Sequence, residues 1–288
     1  MESVEKRISF GREAEQTGGG IVPVSWLAYL GQELRVAREQ RGRSLRQLAA
    51  HTSYSYQQIS NVEAGRRTPS EAFVKEVDEA LETGGRFTRL LRRVLSDALP
   101  YWFQGAAREE AKAIRIRTYQ PQVVHGLLQT EGYARALLRS APPRPSGEST
   151  ETLLAARLAR QSILTGKFPP YFWLILDEAV LRRPVGGPKV MAEQLERLLA
   201  EEENPNMMIQ ILPFSAGAHP GGDGPFILWS YEDRGDVLYV EGLLTASIVE
   251  KPADLESARL SYDLLQAAAL PRDKSFEMIR DALKGYTT

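Results

Sequence analysis

Tyr56, Gln57, Ser60 and Asn61 carry side chains suited to reading another molecule's hydrogen-bond pattern. Their spacing puts all four on one side of a helix. Ile59 and Val62 supply the apolar side, which turns the polar four outward. Gln and Asn each pair a donor with an acceptor, the arrangement that fits adenine bidentately, and Tyr reaches a base edge or a phosphate. The helix starts at Ser55, followed three residues later by Gln58. This is a capping box: the hydroxyl accepts from one orphan N–H and the amide reaches back to another. Ser44 and Gln47 repeat it. Thr68, Pro69 and Glu71 predict a third start, with Pro69 at the first helical position, where a missing N–H costs nothing. Residues 51–54 then form a tight connection between two short helices, the outline of a helix-turn-helix.

Charge supports an anionic partner for this stretch. The whole chain is nearly neutral, with a formal net charge of -1. Residues 35–67, however, hold seven arginines against Glu39 and Glu63. Residues 201–256 hold eleven acids against Arg234 and Lys251. A basic segment in a neutral chain marks the part that meets nucleic acid. Arg43, Arg46, Arg66 and Arg67 stand near helix ends, where phosphate contact is their natural role.

The elements that position these residues are helical. Leu27, Leu30, Leu34 and Ala37 give a first apolar face, and Gly42 a C-cap. Leu45, Leu48 and Ala49 serve the second helix, Ile59 and Val62 the third. Phe73, Val74, Val77 and Leu81 give a fourth. Phe87, Leu90, Leu91, Val94 and Leu95 give a fifth. Residues 1–24 read as a flexible polar arm. The expected architecture is therefore an all-α helix-turn-helix head of five helices at 25–98. An α+β domain at 99–288 follows, with a largely antiparallel sheet. Its strand candidates are residues 114–119, 171–178, 207–212, 225–231, 236–241 and 243–250. Its helices fall near 101–113, 130–138, 151–164, 188–203, 252–270 and 273–285, with a Pro/Ser-rich loop at 141–150.

Leu48-Ala49, Ile59, Val62, Glu63, Gly65, Arg66 and Pro69-Ser70 resemble the lambda-repressor-like, or XRE, helix-turn-helix. The resemblance implies that the helix beginning at Ser55 enters the major groove. Tyr56, Gln57, Ser60 and Asn61 would then contact bases, and Arg43, Arg46, Arg66 and Arg67 phosphates. Two positions depart from the family. Leu45 stands where a phosphate-binding Gln is common, and Ser53 where the turn usually has Gly. The stretches VVHGLLQTEGYARALL, RLARQSIL, LDEAVLRRPVGG, IQILPFSAGAHPGGDGPFIL and VLYVEG resemble actinomycete antitoxin-like transcriptional regulators. That resemblance implies a DNA-binding regulator with a small partner protein from a neighbouring gene. It supplies no reaction.

The body offers little for catalysis. The chain has no cysteine and three histidines, His51, His125 and His219, and His51 belongs to the head. Two histidines without cysteine make a poor structural zinc site. Ser215 lacks the G-x-S-x-G elbow. The GAHPGGDG loop has no following Lys-Ser/Thr, so it is no phosphate-binding P-loop. Asp177 and Glu178, adjacent on an expected strand, would face opposite ways. Binding is the stronger reading. Arg157, Arg160 and Gln161 share a helix face that can hold a carboxylate or phosphate, or form salt bridges to the sheet. His219, on the glycine-rich loop, and Trp173 or Trp229 could line a pocket beneath it, although tryptophans there serve equally as core.

The expectation is a cytoplasmic, sequence-specific transcription regulator binding double-stranded DNA, without cofactor, metal or membrane span. Its body would bind a partner protein or a small ligand. An enzyme or a pure protein-interaction domain fused to a DNA-binding head stays open. One recognition helix reads few base pairs, so a homodimer is expected. Residues 86–103 would form its interface or the head–body contact.

Overall fold

The computed structural model describes residues 25–142, 149–243 and 245–287. The expected arm at 1–24 and positions 143–148 of the Pro/Ser-rich loop lie outside them. In the helical N-terminal region are α1 (Trp26–Gln40), α2 (Leu45–Ala49), α3 (Tyr56–Glu63), α4 (Glu71–Ala80) and α5 (Arg86–Ala98). α6 (Tyr101–Glu110) follows directly, so the helical run is longer than a count of five allows. Leu30, Leu34, Leu48, Ile59, Val77 and Phe87 converge in one core. α1 crosses α3 closely because Gly31 has no side chain. A Cβ there would sit 2.5 Å from the Val62 carbonyl oxygen and 2.6 Å from that of Glu63. Gly31 is the small residue at this tight crossing.

Both expected capping boxes are present, at Ser44 and Ser55. The third start moves. Ser70 caps α4, its hydroxyl accepting from the Phe73 N–H at 3.1 Å. Thr68 lies outside the helix and shares a hydrogen bond of 2.9 Å with Thr152 of the body. Pro69 is buried before the cap. Ser53 avoids the left-handed conformation, since Glu82 is the one non-glycine with positive φ among the described residues.

The body holds β1 (Arg115–Gln120), α7 (Glu131–Ser140), α8 (Thr150–Ala159), β2 (Tyr171–Asp177), α9 (Glu178–Arg182), α10 (Pro188–Leu199) and β3 (Met207–Leu212). Then come β4 (Phe226–Ser230), β5 (Val237–Glu241), β6 (Ala246–Val249), α11 (Pro252–Ala268) and α12 (Arg272–Thr287). The sheet order is β3-β2-β1-β4-β5-β6. It is mixed, not largely antiparallel. β1–β2 and β2–β3 run parallel; β1–β4, β4–β5 and β5–β6 run antiparallel. The reason lies in the connections. Helical crossovers, α7–α8 and then α9–α10, return the chain to the same end of the sheet, which makes the next strand parallel.

Strand residues alternate between two cores. Phe172, Leu174, Ile209, Ile211 and Trp229 face α10 and α12. Tyr119, Ile175, Phe226 and Leu228 face α11 through Tyr262 and Leu265. β2 also ends sooner than expected. Asp177 caps α9 by accepting from the Ala179 N–H at 2.8 Å, and Glu178 begins that helix. The two carboxylates therefore do not share a strand.

α5 joins head to body. Phe87, Leu91 and Val94 are buried, Leu90 and Leu95 half-buried, and α8 packs against this helix. These five side chains pack into the head's own core, against α1 and α4, while α8 of the body also lies against the helix. The side chains of Tyr101 and Trp102, within the expected 86–103 interface, lie outside the described ones.

A buried carboxylate starts α5. Asp78 accepts from the N–H groups of Phe87 and Thr88, both at 2.9 Å, and from the hydroxyls of Thr88 and Thr83. Burial opposes its charge, yet these hydrogen bonds hold its carboxyl below the usual carboxylate range. A depressed folded-state pKa gives stability that is present above the unfolded carboxylate value and is lost as pH falls through the folded one. Asp78→Asn is expected to cost about 1–3 kcal/mol at neutral pH. Urea melts at pH 7 and pH 3 check this: the gap between wild type and variant should narrow at the lower pH. A constant gap would show that the carboxylate's charge is irrelevant.

Candidate functional site

α3 presents its polar side as the spacing requires. Ile59 and Val62 are buried. Tyr56 is 50% exposed, Gln57 is exposed, and Ser60 and Asn61 are half-buried. The Gln57 amide donates to Asn61 Oδ1 at 3.4 Å. The two amides thus form one hydrogen-bonding unit one helical turn long.

The arginines sort into two sets. Arg38 is buried: its Nε and Nη2 donate to the Glu63 carboxylate at 2.6 and 2.9 Å, and Nη1 to the Arg43 carbonyl at 2.8 Å. The hydrogen bonds to Glu63 raise its pKa. Arg35 pairs with Glu39 and Arg41 with Glu82. Arg43 spends an N–H on the Ala80 carbonyl at 2.9 Å, at the end of α4. Arg46, Arg66 and Arg67 are exposed, and none of their side chains has a hydrogen bond or ion pair among the described residues. Of the four assigned to phosphate, these three keep all their donors available. The basic count in the sequence overstated the unopposed charge, because pairs with Glu63 and Glu82 are invisible until the helices are folded together.

A second feature lies in the body, where it reaches the end of α5 at Ala98. A cavity of about 730 Å³ is bounded by Leu99, Val123, Leu153, Phe226 and Tyr239, with Arg157 and Arg160 in its wall. The segment 124–129 forms another side, and side chains satisfy its backbone, as buried irregular chain demands. Gln129 Nε2 donates to the Val124 carbonyl at 2.6 Å. Gln161 Nε2 donates to the carbonyls of Gly126 and Gln129 at 3.2 and 2.7 Å. Gln194 Nε2 donates to the Leu128 carbonyl at 2.8 Å. Arg157 Nη1 donates to Gln129 Oε1 at 3.0 Å. Behind the wall, Arg160 donates through Nε and Nη2 to Glu110 Oε2 at 3.1 and 2.6 Å. Its guanidinium lies 4.3 Å from the Phe103 ring centroid. The other Glu110 oxygen is buried without a hydrogen-bond partner, 3.8 Å from His125 Nε2.

His125 stays neutral. Burial, then the charges of Arg160 and Arg157, push its pKa down to about 3. Its Nδ1 accepts from the Leu127 N–H at 3.3 Å, so Nε2 carries the proton and points toward Glu110.

The residues considered for ligand binding therefore separate. Arg157 and Arg160 reach the cavity, and Gln161 braces its side. His219 instead stacks edge-on against Tyr119 and accepts from the Gly221 N–H at 3.2 Å. Trp229 is wholly buried, stacked on Tyr239 at 5.3 Å, its indole nitrogen without a partner. Sequence reasoning missed Glu110 and Gln129 and weighed His125 only as a metal ligand. The one local signal was a His and a Gln inside the apolar run VVHGLLQ. Among the described residues no group of three or more His, Asp or Glu side chains could hold a metal ion.

Residues 103–281 match a family described as a domain of unknown function, DUF5753. The chain belongs to the DUF5753 family. Ahead of its DUF5753 domain, residues 29–91 match a helix-turn-helix domain, so the protein is a helix-turn-helix regulator with a C-terminal domain of unknown function. Comparison with curated proteins and with solved structures gives no match. No described helix of this DUF5753 protein is long and apolar enough to cross a membrane.

The buried Arg38–Glu63 pair generates a stability prediction. Glu63→Leu alone leaves the buried guanidinium with only the exposed Glu39 carboxylate, 3.5 Å from Nη2, and is expected to cost about 3 kcal/mol. Arg38→Met combined with Glu63→Leu should recover most of that loss, because no unpaired charge remains. Chemical denaturation of the three proteins decides it; a double variant as unstable as Glu63→Leu would mean that the pair itself is indispensable.

Proposed function

We propose that this protein is a sequence-specific transcription regulator of the XRE type. α3 sits in the major groove, with Tyr56, Gln57, Ser60 and Asn61 toward base edges and Arg46, Arg66 and Arg67 on phosphates. The observation that carries this is the doubly boxed α2–α3 unit: an outward amide pair one turn long, beside arginines with no acid of their own. Arg43 joins the phosphate contacts only through donors left over from Ala80. Two copies on a two-fold operator fit the short reach of one recognition helix. Residues 86–103, on the part of α5 and α6 left open by α8, remain the proposed place for the second copy. The DUF5753 body binds a small ligand or, in the antitoxin-like manner, a small partner protein; binding rather than catalysis is its role. A DNA partner in turn places the chain in the cytoplasm.

The test begins by selecting an operator from random duplexes and measuring binding by fluorescence anisotropy. Gln57→Ala and Asn61→Ala are each expected to cost about 1–3 kcal/mol on the operator and little on nonspecific DNA. Because the two amides hydrogen-bond to each other, the double variant should lose less than the sum. Arg66→Ala should weaken both kinds of binding and reduce the salt slope by about one phosphate's worth. Wild-type specificity in the double variant would rule out this face.

A further inference from the structure

The cavity of the body opens at the carboxyl end of β1. Gln120 closes that strand, Phe226 begins β4, and both line the space. Here the parallel half of the sheet, β1 with β2 and β3, meets the antiparallel half that starts at β4. Open sheets take ligands in the crevice outside the carboxyl ends of their strands, where the connections diverge. The space encloses about 730 Å³, within the roughly 300 to 1,000 Å³ of small-molecule pockets.

Its lining decides the kind of occupant. Leu99, Val123, Leu137, Leu153 and Phe226 give the apolar part. The polar side chains of the wall bond to the protein itself. Gln129 accepts from Arg157 through Oε1 and donates to the Val124 carbonyl through Nε2. Gln120 Nε2 donates to Thr118 Oγ1 at 3.0 Å, and the Tyr239 hydroxyl to Glu241 at 2.9 Å. Charge is balanced as well. Among the described residues, Arg157 and Arg160 stand against Asp223 and Glu241 of the lining and Glu110 behind it. Arg160 spends both Nε and Nη2 on that buried Glu110 carboxylate. His125, depressed by burial, adds no charge. Neither sign prevails, so an ionic ligand would exchange its hydration for a wall with no net attraction, a costly transfer.

We infer that this cavity is an effector site for an uncharged, mainly apolar small molecule. Removal of its apolar surface from water supplies the affinity. The saturated wall rejects groups that need strong hydrogen bonds, because they would be left unpaired. This inference rests on the binding role proposed above for the DUF5753 body and narrows it to one class of ligand.

The site is placed to act on the head. Ala98, Leu99 and Pro100, the joint between α5 and α6, line the same cavity. α8 contributes Leu153 to the lining, packs on α5, and bonds to Thr68 of the head through Thr152. A ligand seated against this joint biases any head movement that alters its contacts. This consequence, unlike the site itself, rests on the DNA-binding reading above.

Fluorescence titration of the full-length protein with N-phenyl-1-naphthylamine and with its 8-sulfonate, the same apolar body carrying a charge, tests the site without DNA. The uncharged probe is expected to bind one per chain, at least about tenfold more tightly than the sulfonate. Decanol should displace it at lower concentration than decylamine does. Val123→Trp, and Leu153→Trp on α8, fill the apolar part and should each weaken the uncharged probe about tenfold or more. Thermal melts establish which variants are folded, and either one suffices. Equal or tighter binding of the sulfonate, better displacement by decylamine, or undiminished binding by a folded variant would overturn the assignment. Tight sulfonate binding that the filled variants abolish would overturn the uncharged class alone and leave the body a ligand-binding domain. No binding of either probe would overturn the site and leave the body its partner protein. The selected operator is then titrated with and without the saturating uncharged probe. A change of about fivefold or more in DNA affinity is expected, the usual scale of coupling between sites. Unchanged affinity would overturn the effector role. A protein that binds the probe but no DNA would instead sink the DNA-binding reading and leave the site standing.

Discussion

The bidentate pair between Arg38 of α1 and Glu63 at the end of α3 fixes which way α3 faces. Its guanidinium also donates to the Arg43 carbonyl, so one side chain ties α1, α3 and the start of the α2 unit. Gly31 makes the same junction possible from the backbone side, by admitting the carbonyls of Val62 and Glu63 against α1. An apolar substitute for the pair could match its stability, since desolvating two charges offsets much of their attraction. What an apolar pair lacks is direction. Two hydrogen bonds in a fixed fork constrain rotation of α3 about its axis, and that rotation decides which side chains face outward.

The body solves a related problem with polar side chains in a buried setting. The 124–129 segment has irregular backbone inside the protein, so its carbonyls must find donors. Gln129, Gln161 and Gln194 provide them. Glu110 and Arg160 sit behind as a compensated charge pair. Such a wall stays open because its polar atoms are satisfied sideways, within the wall, rather than by collapse across the space. The apolar sides come from different elements, α5–α6 on one hand and the β4–β5 region on the other, which is how a void of this size persists in a chain that packs both sheet faces.

What could be read from the sequence follows the range of the interactions. The boxes at Ser44 and Ser55 span three residues, so spacing alone revealed them. The third start misled because Thr68 and Ser70 are equally good caps; the hydrogen bond of Thr68 to Thr152, across 84 residues, decides between them. The apolar stripe on α5 was visible and its cover by α1 and α4 is local to the head, whereas the packing of α8 on the same helix lies beyond a boundary that composition suggested. Strand existence was legible in runs such as YFWLILD, while strand direction was not. Parallel pairing is imposed by the α7–α8 and α9–α10 crossovers, and the near-continuous burial of β2 is the trace it leaves in the sequence. Arg38 read as one more surface cation, and only its partner 25 residues away makes it structural.

These ranges also explain how head and body can influence each other without being one core. The head has its own apolar cluster, built from α1 to α5, and the sheet has two more. Between them stand α8 and the short joint at Leu99 and Pro100. α8 serves two surfaces at once: Thr152 and the α5 contact on the head side, Arg157 on the cavity side. On a helix these two residues are five positions apart, more than one turn, so neither contact blocks the other. A shift of α8 as a rigid unit would alter both together, because packed helices move between discrete seatings rather than bending locally. The geometry thus supplies the physical requirement for coupling, a shared element with two sets of partners, at the place where the DNA-contacting head meets its DUF5753 body.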